Sequence, residues 1–387
     1  MNKFVCSALA LAAASSVGSA TDGSDEWLGL DQEINALTSS VSPQGGGVDV
    51  GALIRSSYLN VDDDLTESSS VSGSPGFNDD EIGGFVFQDV DVWLEGEIGD
   101  FDWRVNIDFD DGEEDDFDKG TSLDDLFDIL DFGSGGTGGG AQLEDAYADW
   151  DVNENFSIMW GQFKFPTLLS NQVDPNHQIF IDRTILGQLF DDWDLGAMVH
   201  GEVEQFGYAI AIQNGTDGLV DEYRFSGRGE YTLGDYGRGV DRVEGAYGSP
   251  GEEFAGTVGI FYTQDDGLDD IVGDDNSVLG GDFAGTYGNF SGHFEIIDLD
   301  DDIGNATPFT GTFGYMLSED EWEIAGRYQD FDDIFNLDTN IIGGALSWYQ
   351  EGHDAKWTFE VQNVDSDGPD GTLFQFGLSV GTSRPKN

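Results

Sequence analysis

The chain has 387 residues, of which 56 are glycine and 8 are proline, and 13% are aromatic. Its 14 basic and 78 acidic residues give a formal charge of -64 at pH 7. This charge excludes nucleic acid as a partner, because phosphates would be repelled. It suits media of high salt, where repulsion between carboxylates is screened.

The first segment, residues 1–20, has the features of a secretory signal peptide. A basic residue, Lys3, precedes an apolar run at 4–14, and the small residue Ala20 ends the segment at the expected cleavage site. The one cysteine, Cys6, lies in this segment, so the exported chain is expected to form no disulfide.

Residues 21–47 are polar and carry no strand pattern. Four apolar residues share one helical face: Trp27, Leu30, Ile34 and Leu37. A short helix and a disordered tail both remain open for this segment.

Residues 85–109 show the pattern that dominates the rest of the chain. Two runs of strict alternation are separated by Gly99-Asp100, so a tight antiparallel hairpin is predicted. One face is apolar. The other holds Asp89, Asp91, Trp93, Glu95, Glu97, Asp102, Arg104, Asn106 and Asp108. A soluble sandwich and a transmembrane barrel could both use one such hairpin.

The alternation recurs and favours the barrel. It predicts sixteen strands, at residues 48–58, 83–98, 101–109, 141–151, 156–165, 193–203, 206–214, 223–233, 254–263, 276–287, 290–299, 307–317, 322–331, 339–350, 355–365 and 372–380. Each is near the ~9–11 residues that a tilted membrane-spanning strand needs. We therefore predict an all-β protein whose residues 48–380 form a 16-stranded antiparallel transmembrane β-barrel, followed by a tail at 381–387.

The connections alternate between short turns and long acidic loops, as in outer-membrane barrels. One connection breaks the rule, because residues 234–253 should form a short turn and number twenty. Partial alternation at 240–247 leaves a further strand open there.

Several segments resemble the phosphate-selective porin O and P family over most of residues 80–380. The marks are Gly161-Gln162-Phe163-Lys164 before Pro166, Ile179-Phe180-Ile181-Asp182-Arg183, Gln213-Asn214-Gly215, the Trp322–Tyr328 strand and the Gly343–Tyr349 strand before Lys356-Trp357. The resemblance implies an outer-membrane channel, commonly a homotrimer in contact with membrane lipid. Phosphate-selective members line the channel with many Arg and Lys, which are scarce in this chain.

The connection at 166–192 is unusually apolar for a loop and is expected to fold inward and narrow the channel. It would present Asp174, His177, Asp182 and Arg183 to the constriction. Two roles stay open for Asp182 and Arg183: facing the solute, or pairing to fix the loop.

Alternation also predicts the charges of the inner wall. The predicted pore-lining acids include Asp89, Asp91 and Glu95, and the bases are Arg55, Arg104, Arg224, Arg228, Arg327 and Lys356, with Lys164 unassigned. Thirteen inward acids against six bases predict a water-filled porin for small ions and solutes, weakly or cation-leaning selective.

No pattern predicts catalysis, a cofactor or a metal. The four histidines are scattered, and no nucleophile elbow or calcium loop is present. Two alternatives remain open: a phosphate or polyphosphate channel, and a secreted, salt-adapted all-β binding or structural protein.

Overall fold

The computed structural model describes residues 47–61, 82–109, 141–215, 223–234, 244–248, 253–265, 277–301, 304–318, 321–331, 339–366 and 370–382. The predicted leader, nearly all of the polar segment at 21–47 and residues 383–387 lie outside this part of the chain.

The described residues form sixteen strands in one sheet. They are β1 (Val48–Val61), β2 (Ile82–Ile98), β3 (Phe101–Asp108), β4 (Gln142–Asn153), β5 (Phe156–Lys164), β6 (Trp193–Val203), β7 (Phe206–Gln213), β8 (Arg224–Leu233), β9 (Ala255–Asp265), β10 (Ser277–Tyr287), β11 (Phe290–Asp301), β12 in two pieces (Gly304–Ala306 and Phe309–Ser318), β13 (Trp322–Asp330), β14 (Thr339–Tyr349), β15 (Ala355–Ser366) and β16 (Gly371–Gly381).

The sheet closes on itself. Consecutive strands are neighbours, and β16 pairs antiparallel with β1, from Leu53 opposite Gly381 to Val61 opposite Leu373. The prediction of a 16-stranded antiparallel barrel is confirmed, and two stacked sheets are excluded because the first and last strands are hydrogen-bonded to each other.

The two faces of the barrel differ as the alternation predicts. In β8, Arg224, Arg228 and Glu230 are buried inside, whereas Phe225 and Tyr231 are exposed outside. The outward-facing side chains of this strand are thus apolar, as expected for a barrel surface in contact with the hydrocarbon of a membrane.

Aromatic pairs lie on the exterior near both ends of the strands. Trp322 stacks on Trp348 at 5.7 Å close to the short turns. Tyr58 packs edge-on against Phe85 at 5.2 Å near the long loops. This placement matches the aromatic girdles of membrane barrels.

Alternation fails where β3 pairs with β4. The β3–β4 register shifts between Val105 and Ile107, which is a β-bulge. As a result Glu144 and Asp145 are both buried inside, although they are consecutive. Counting every second residue places Asp145 on the inner side and misses Glu144.

The connection from β8 to β9 is neither a short turn nor a strand in its described part. Residues 244–248 form bends and turns, so the sequence-based suggestion of a strand over 240–247 is wrong for 244–247. Glu244 and Ala246 are only 3% exposed.

The described helices are short: α1 (Leu169–Gln172), a 3-10 turn (Pro175–His177) and α2 (Ile185–Leu189). Within the described residues, no helix is long and apolar enough to span a membrane.

Candidate constriction site

The connection between β5 and β6, residues 165–192, is the constriction loop and lies inside the barrel. Its Leu168 and Leu186 are fully buried against Phe261, Ile297 and other wall residues. Apolar side chains of this size would not stay in a water-exposed loop. The prediction of an inward-folded loop is confirmed.

Carboxylates of the wall hold the backbone of this loop. Asp282 accepts from the Leu169 amide at 3.3 Å, and Glu295 accepts from the Ser170 amide at 2.9 Å. Glu360 accepts from the Ile181 amide at 2.8 Å. These acceptors are needed because the loop has little regular structure of its own to satisfy its buried N–H groups.

Three of the predicted pore-lining bases bind carbonyl groups of the same loop. Arg228 donates to Thr167 O at 2.5 Å, and Arg327 donates to Asp182 O at 2.8 Å. Lys356 Nζ donates to Gln178 O. All three bases are at most 5% exposed, so their contacts favour fixing the loop over facing the solute.

Arg183 makes the same kind of contact from within the loop. Its Nε lies 2.8 Å from Asp191, and its Nη1 donates to Ser170 O at 2.5 Å and Val173 O at 2.6 Å. Of the two roles left open for Arg183, these contacts favour loop fixation. Asp182 is half-buried beside it.

Lys164 and Arg224 lie where the loop leaves and rejoins the wall. Lys164 pairs with Asp191, and its Nζ lies 4.0 Å above the Trp193 ring. Arg224 pairs with Asp192 at 3.2 Å. Both bases therefore connect strand ends to the loop.

His177 is withdrawn from water by its neighbours. It is 3% exposed, and its ring packs edge-on against His353 at 4.4 Å. Its Nδ1 lies 4.0 Å from the half-buried Asp174. Burial lowers the pKa of His353 well below its usual value, and the adjacent His177 and Lys356 lower it further.

The described part of the β8–β9 connection, residues 244–248, meets the constriction loop; we call it the second inner segment. The Ile179 amide donates to Glu244 Oε2 at 3.1 Å, and the Glu244 amide donates to His177 O at 3.3 Å. Arg327 lies 3.4 Å from the Glu244 carboxylate and His293 lies 3.5 Å from it. The constriction loop follows β5, which ends at the long-loop end of the barrel, whereas the second inner segment follows β8, which ends at the short-turn end. The two segments therefore enter the barrel from opposite ends.

Electrostatics keep Glu244 ionised in this setting. Burial by itself would raise the pKa of Glu244, but the facing His293 and Arg327 lower it to about 2. The carboxylate therefore remains a charged link between the wall, the loop and the second inner segment.

A second contact set fixes the same segment to the wall. The Ala246 amide and the Tyr349 hydroxyl each donate to Glu323 at 2.6 Å. Tyr247 stacks on Tyr349 with ring centroids 4.3 Å apart. The only sequence signal for this arrangement was the excess length of the 234–253 connection.

The wall from β1 to β4 is acidic and its bases are few. Arg55 pairs with Asp89 at 2.6 Å, and Arg104 lies 3.1 Å from Glu95 and 3.9 Å from Asp145. The inward carboxylates on this wall are Asp89, Asp91, Glu95, Asp108, Glu144, Asp145 and Asp149. The acids on these four strands outnumber the two arginines, so the formal charge of the wall is negative.

Comparison by sequence finds one distant curated relative. No protein-family model matches the chain. One curated relative, an uncharacterised protein of Aquifex aeolicus (strain VF5), is 23% identical over 279 residues, covering 60% of this chain and 66% of that protein. The alignment thus spans just under two thirds of the relative's length.

Solved structures of an outer membrane protein and of porins share the fold. A loop-deletion mutant of OmpT, an outer membrane protein of Vibrio cholerae, has a TM-score of 0.56 at 12% identity, covering 87% of this chain and 99% of that chain. The anion-selective porin of Comamonas acidovorans has a TM-score of 0.55 at 9% identity, covering 87% and 100%. A mutant of the Rh. blastica porin has a TM-score of 0.51 at 12% identity, covering 87% and 100%. At these identities the likeness concerns the barrel fold and does not single out the phosphate-selective O and P family.

Proposed function

We propose that the protein is a porin of the outer membrane: a non-enzymatic, water-filled channel for passive diffusion of small ions and solutes, leaning toward cations. The closed barrel, its apolar exterior and its inward-folded loop support a channel. The solved structures with this fold include an outer membrane protein and a porin, and the predicted leader is consistent with export.

The cation preference rests on how the inner charges are used. Arg228, Arg327 and Lys356 are bound to carbonyl groups of the constriction loop. On the wall from β1 to β4, Asp89 and Glu95 have side chains that are 17% and 14% exposed, and each pairs with a less exposed arginine, Arg55 at 9% and Arg104 at 10%. A permeating ion would therefore meet more accessible negative than positive charge.

Reversal potentials in a salt gradient across planar bilayers test this proposal. The wild-type channel should favour the cation, and Asp89→Asn with Glu95→Gln should reduce the cation-to-anion permeability ratio. One charge at ~4 Å in water is worth about 1 kcal/mol, so each loss should change the ratio by at most about fivefold. Glu154→Gln, in an exposed turn, is the matched control and should leave the ratio unchanged.

Phosphate selectivity is the second candidate, supported by the O and P family resemblance. It predicts that phosphate competes with chloride and lowers single-channel conductance at millimolar concentrations. A clear anion preference with phosphate block would replace the cation proposal. A homotrimer is likewise proposed, since one solved relative is described in trimer form; crosslinking in native membranes tests it.

A further inference from the structure

The constriction loop reaches a short turn of the barrel wall. That turn, residues 350–354, joins β14 to β15 and contains His353. Asn176 of the loop is bonded to His353 in both directions: His353 Nδ1 donates to Asn176 O at 3.3 Å, and Asn176 Nδ2 donates to His353 O at 3.5 Å. A carbonyl oxygen only accepts, so Nδ1 carries the proton in this contact. A histidine thus ties the loop to the short-turn end of the barrel.

The His353 ring is enclosed by rings from three other parts of the chain. It packs edge-on against His177 of the constriction loop at 4.4 Å, Tyr247 of the second inner segment at 5.0 Å and Tyr349 of β14 at 5.4 Å. Part of the residue is exposed, but its Nε2 atom is buried. His353 is therefore a contact point shared by the loop, the second inner segment and the wall.

His353 lacks the acidic neighbour that the other histidines have. Within the described ranges each of the other three has a carboxylate oxygen at 4.0 Å or less. These pairs are His177 with Asp174, His200 with Asp149, and His293 with Glu244 and Glu295. In the same part of the chain no carboxylate forms such a pair with His353. A positive charge on its ring would therefore be uncompensated.

The titratable groups around His353 come from every element packed against it. They are Asp174 and His177 on the loop, Tyr247 on the second inner segment, Tyr349 and Lys356 on the wall, and Glu323, which accepts from the Tyr349 hydroxyl. On its own turn Glu351 and Asp354 are exposed to water.

These surroundings favour the neutral ring. Burial lowers the pKa of His353 well below its ordinary 6.5, and the charges of His177 and Lys356 lower it further. Backbone groups of Asn176 and Tyr247 favour the charged ring, but more weakly. His353 is therefore neutral while the loop is seated and returns toward its ordinary pKa when the loop leaves.

We propose that His353 is an acid-sensitive latch for the constriction loop: the neutral ring holds Asn176 at the wall, and the protonated ring releases the loop tip, residues 174–178. The latch is fully closed above pH 6.5, and the closed form loses stability about tenfold for each pH unit below that value. This range lies above pH 4.5, where Glu244 begins to lose its charge. The inference does not depend on the channel activity.

Thiol labelling at the edge of the loop tip tests the latch. Ile179 is 1% exposed, and Ile179→Cys with Cys6→Ser gives a single reporter. The maleimide labelling rate of the full-length barrel in detergent is divided, at each pH, by the rate of a small free thiol, which removes the pH dependence of the thiol itself. We expect this ratio to rise about tenfold from pH 7.5 to pH 5.5. A rise of less than threefold would overturn the proposal.

Two histidine variants identify the group that responds. His353→Gln keeps a side-chain N–H for Asn176 O but does not titrate in this range, so its ratio should change less than threefold. His200→Gln removes a histidine that faces Asp149 on the wall, and it should retain the tenfold rise.

An undiminished rise in His353→Gln would place the acid response on another group, and the latch would be wrong. Loss of the rise in His200→Gln would contradict it equally. Heat-modifiable gel mobility at both pH values confirms that each barrel is folded. If His353→Gln does not fold, His353→Asn takes its place, and a flat wild-type profile overturns the proposal without any variant.

Discussion

Glu295 offers the sharpest test of how the constriction loop is held. Its side chain is fully buried in β11. One oxygen accepts from the Ser170 amide at 2.9 Å, and the other accepts from the Ser170 hydroxyl at 2.8 Å and the Thr184 hydroxyl at 3.0 Å. The His293 ring lies 3.3 Å away. A single carboxylate thus joins two points of the loop to the wall.

Glu295→Gln keeps the shape and removes the charge. The amide can still accept from Ser170 N, but its NH₂ group faces two hydroxyls that donated to the carboxylate. Removing one member of a buried charged network costs about 3–5 kcal/mol of stability. Because the glutamine still accepts one hydrogen bond, we expect the loop to lose about 3 kcal/mol of the free energy that holds it against the wall. Since ~1.36 kcal/mol is a factor of ten, the loop should open roughly 150-fold more often.

Thiol labelling measures this opening. Val173 is 1% exposed in the loop, and the chain has one cysteine, Cys6, so Val173→Cys with Cys6→Ser gives a single reporter. Its maleimide labelling rate should rise by about two orders of magnitude in the Glu295→Gln background. The exposed-turn variant Glu154→Gln should not change the rate. If the labelling rate of Val173→Cys in the Glu295→Gln background stayed within twofold of the rate without that substitution, the role assigned to Glu295 would be refuted.

Three other changes probe the wall and the inner segments. Gly161→Ala should lower the temperature at which the barrel unfolds on gels, because φ is +139° and a Cβ there would clash with the Ala146 carbonyl oxygen; Gly292→Ala, with open space at its Cβ, is the control. Acid should release the second inner segment. The pKa of Glu244 is about 2 in the folded protein against an ordinary 4.5, so its ionised carboxylate stabilises the segment fully above pH 4.5. That stabilisation is lost as the pH falls toward 2. Protease protection of that segment should fall over this range in wild type and be insensitive to pH in Glu244→Gln. Lys356→Met leaves the buried Gln178 carbonyl without its donor, at a cost of about 1–3 kcal/mol, and should increase open-channel current noise; unchanged noise would contradict that anchoring role.

The strands were predictable because a barrel wall separates two solvents. Side chains alternate between water and an apolar exterior, so the pattern has a period of two over the whole length of each strand. The predicted strand at 193–203 has the same bounds as β6, and the others agree within three residues at each end. The inward course of the 165–192 loop was predictable for the same reason, since its apolar side chains require cover.

The use of the inner charges was not predictable from periodicity. Alternation places Arg228 and Arg327 on the inner side, but it cannot tell whether they face solutes or loop carbonyls. That depends on backbone groups more than forty residues away, brought together only when the barrel closes. Glu144 was missed because a bulge shifts the pattern by one residue.

The amino-acid sequence by itself determined the class of fold, the strand order and the sign of the net charge, because each is written locally in hydrophobic period and composition. Only the tertiary structure decided which charges are neutralised and where the second inner segment lies. Those outcomes depend on pairing between residues such as Glu244 and Arg327, 83 positions apart, and no local pattern encodes a contact made across the inside of a closed sheet.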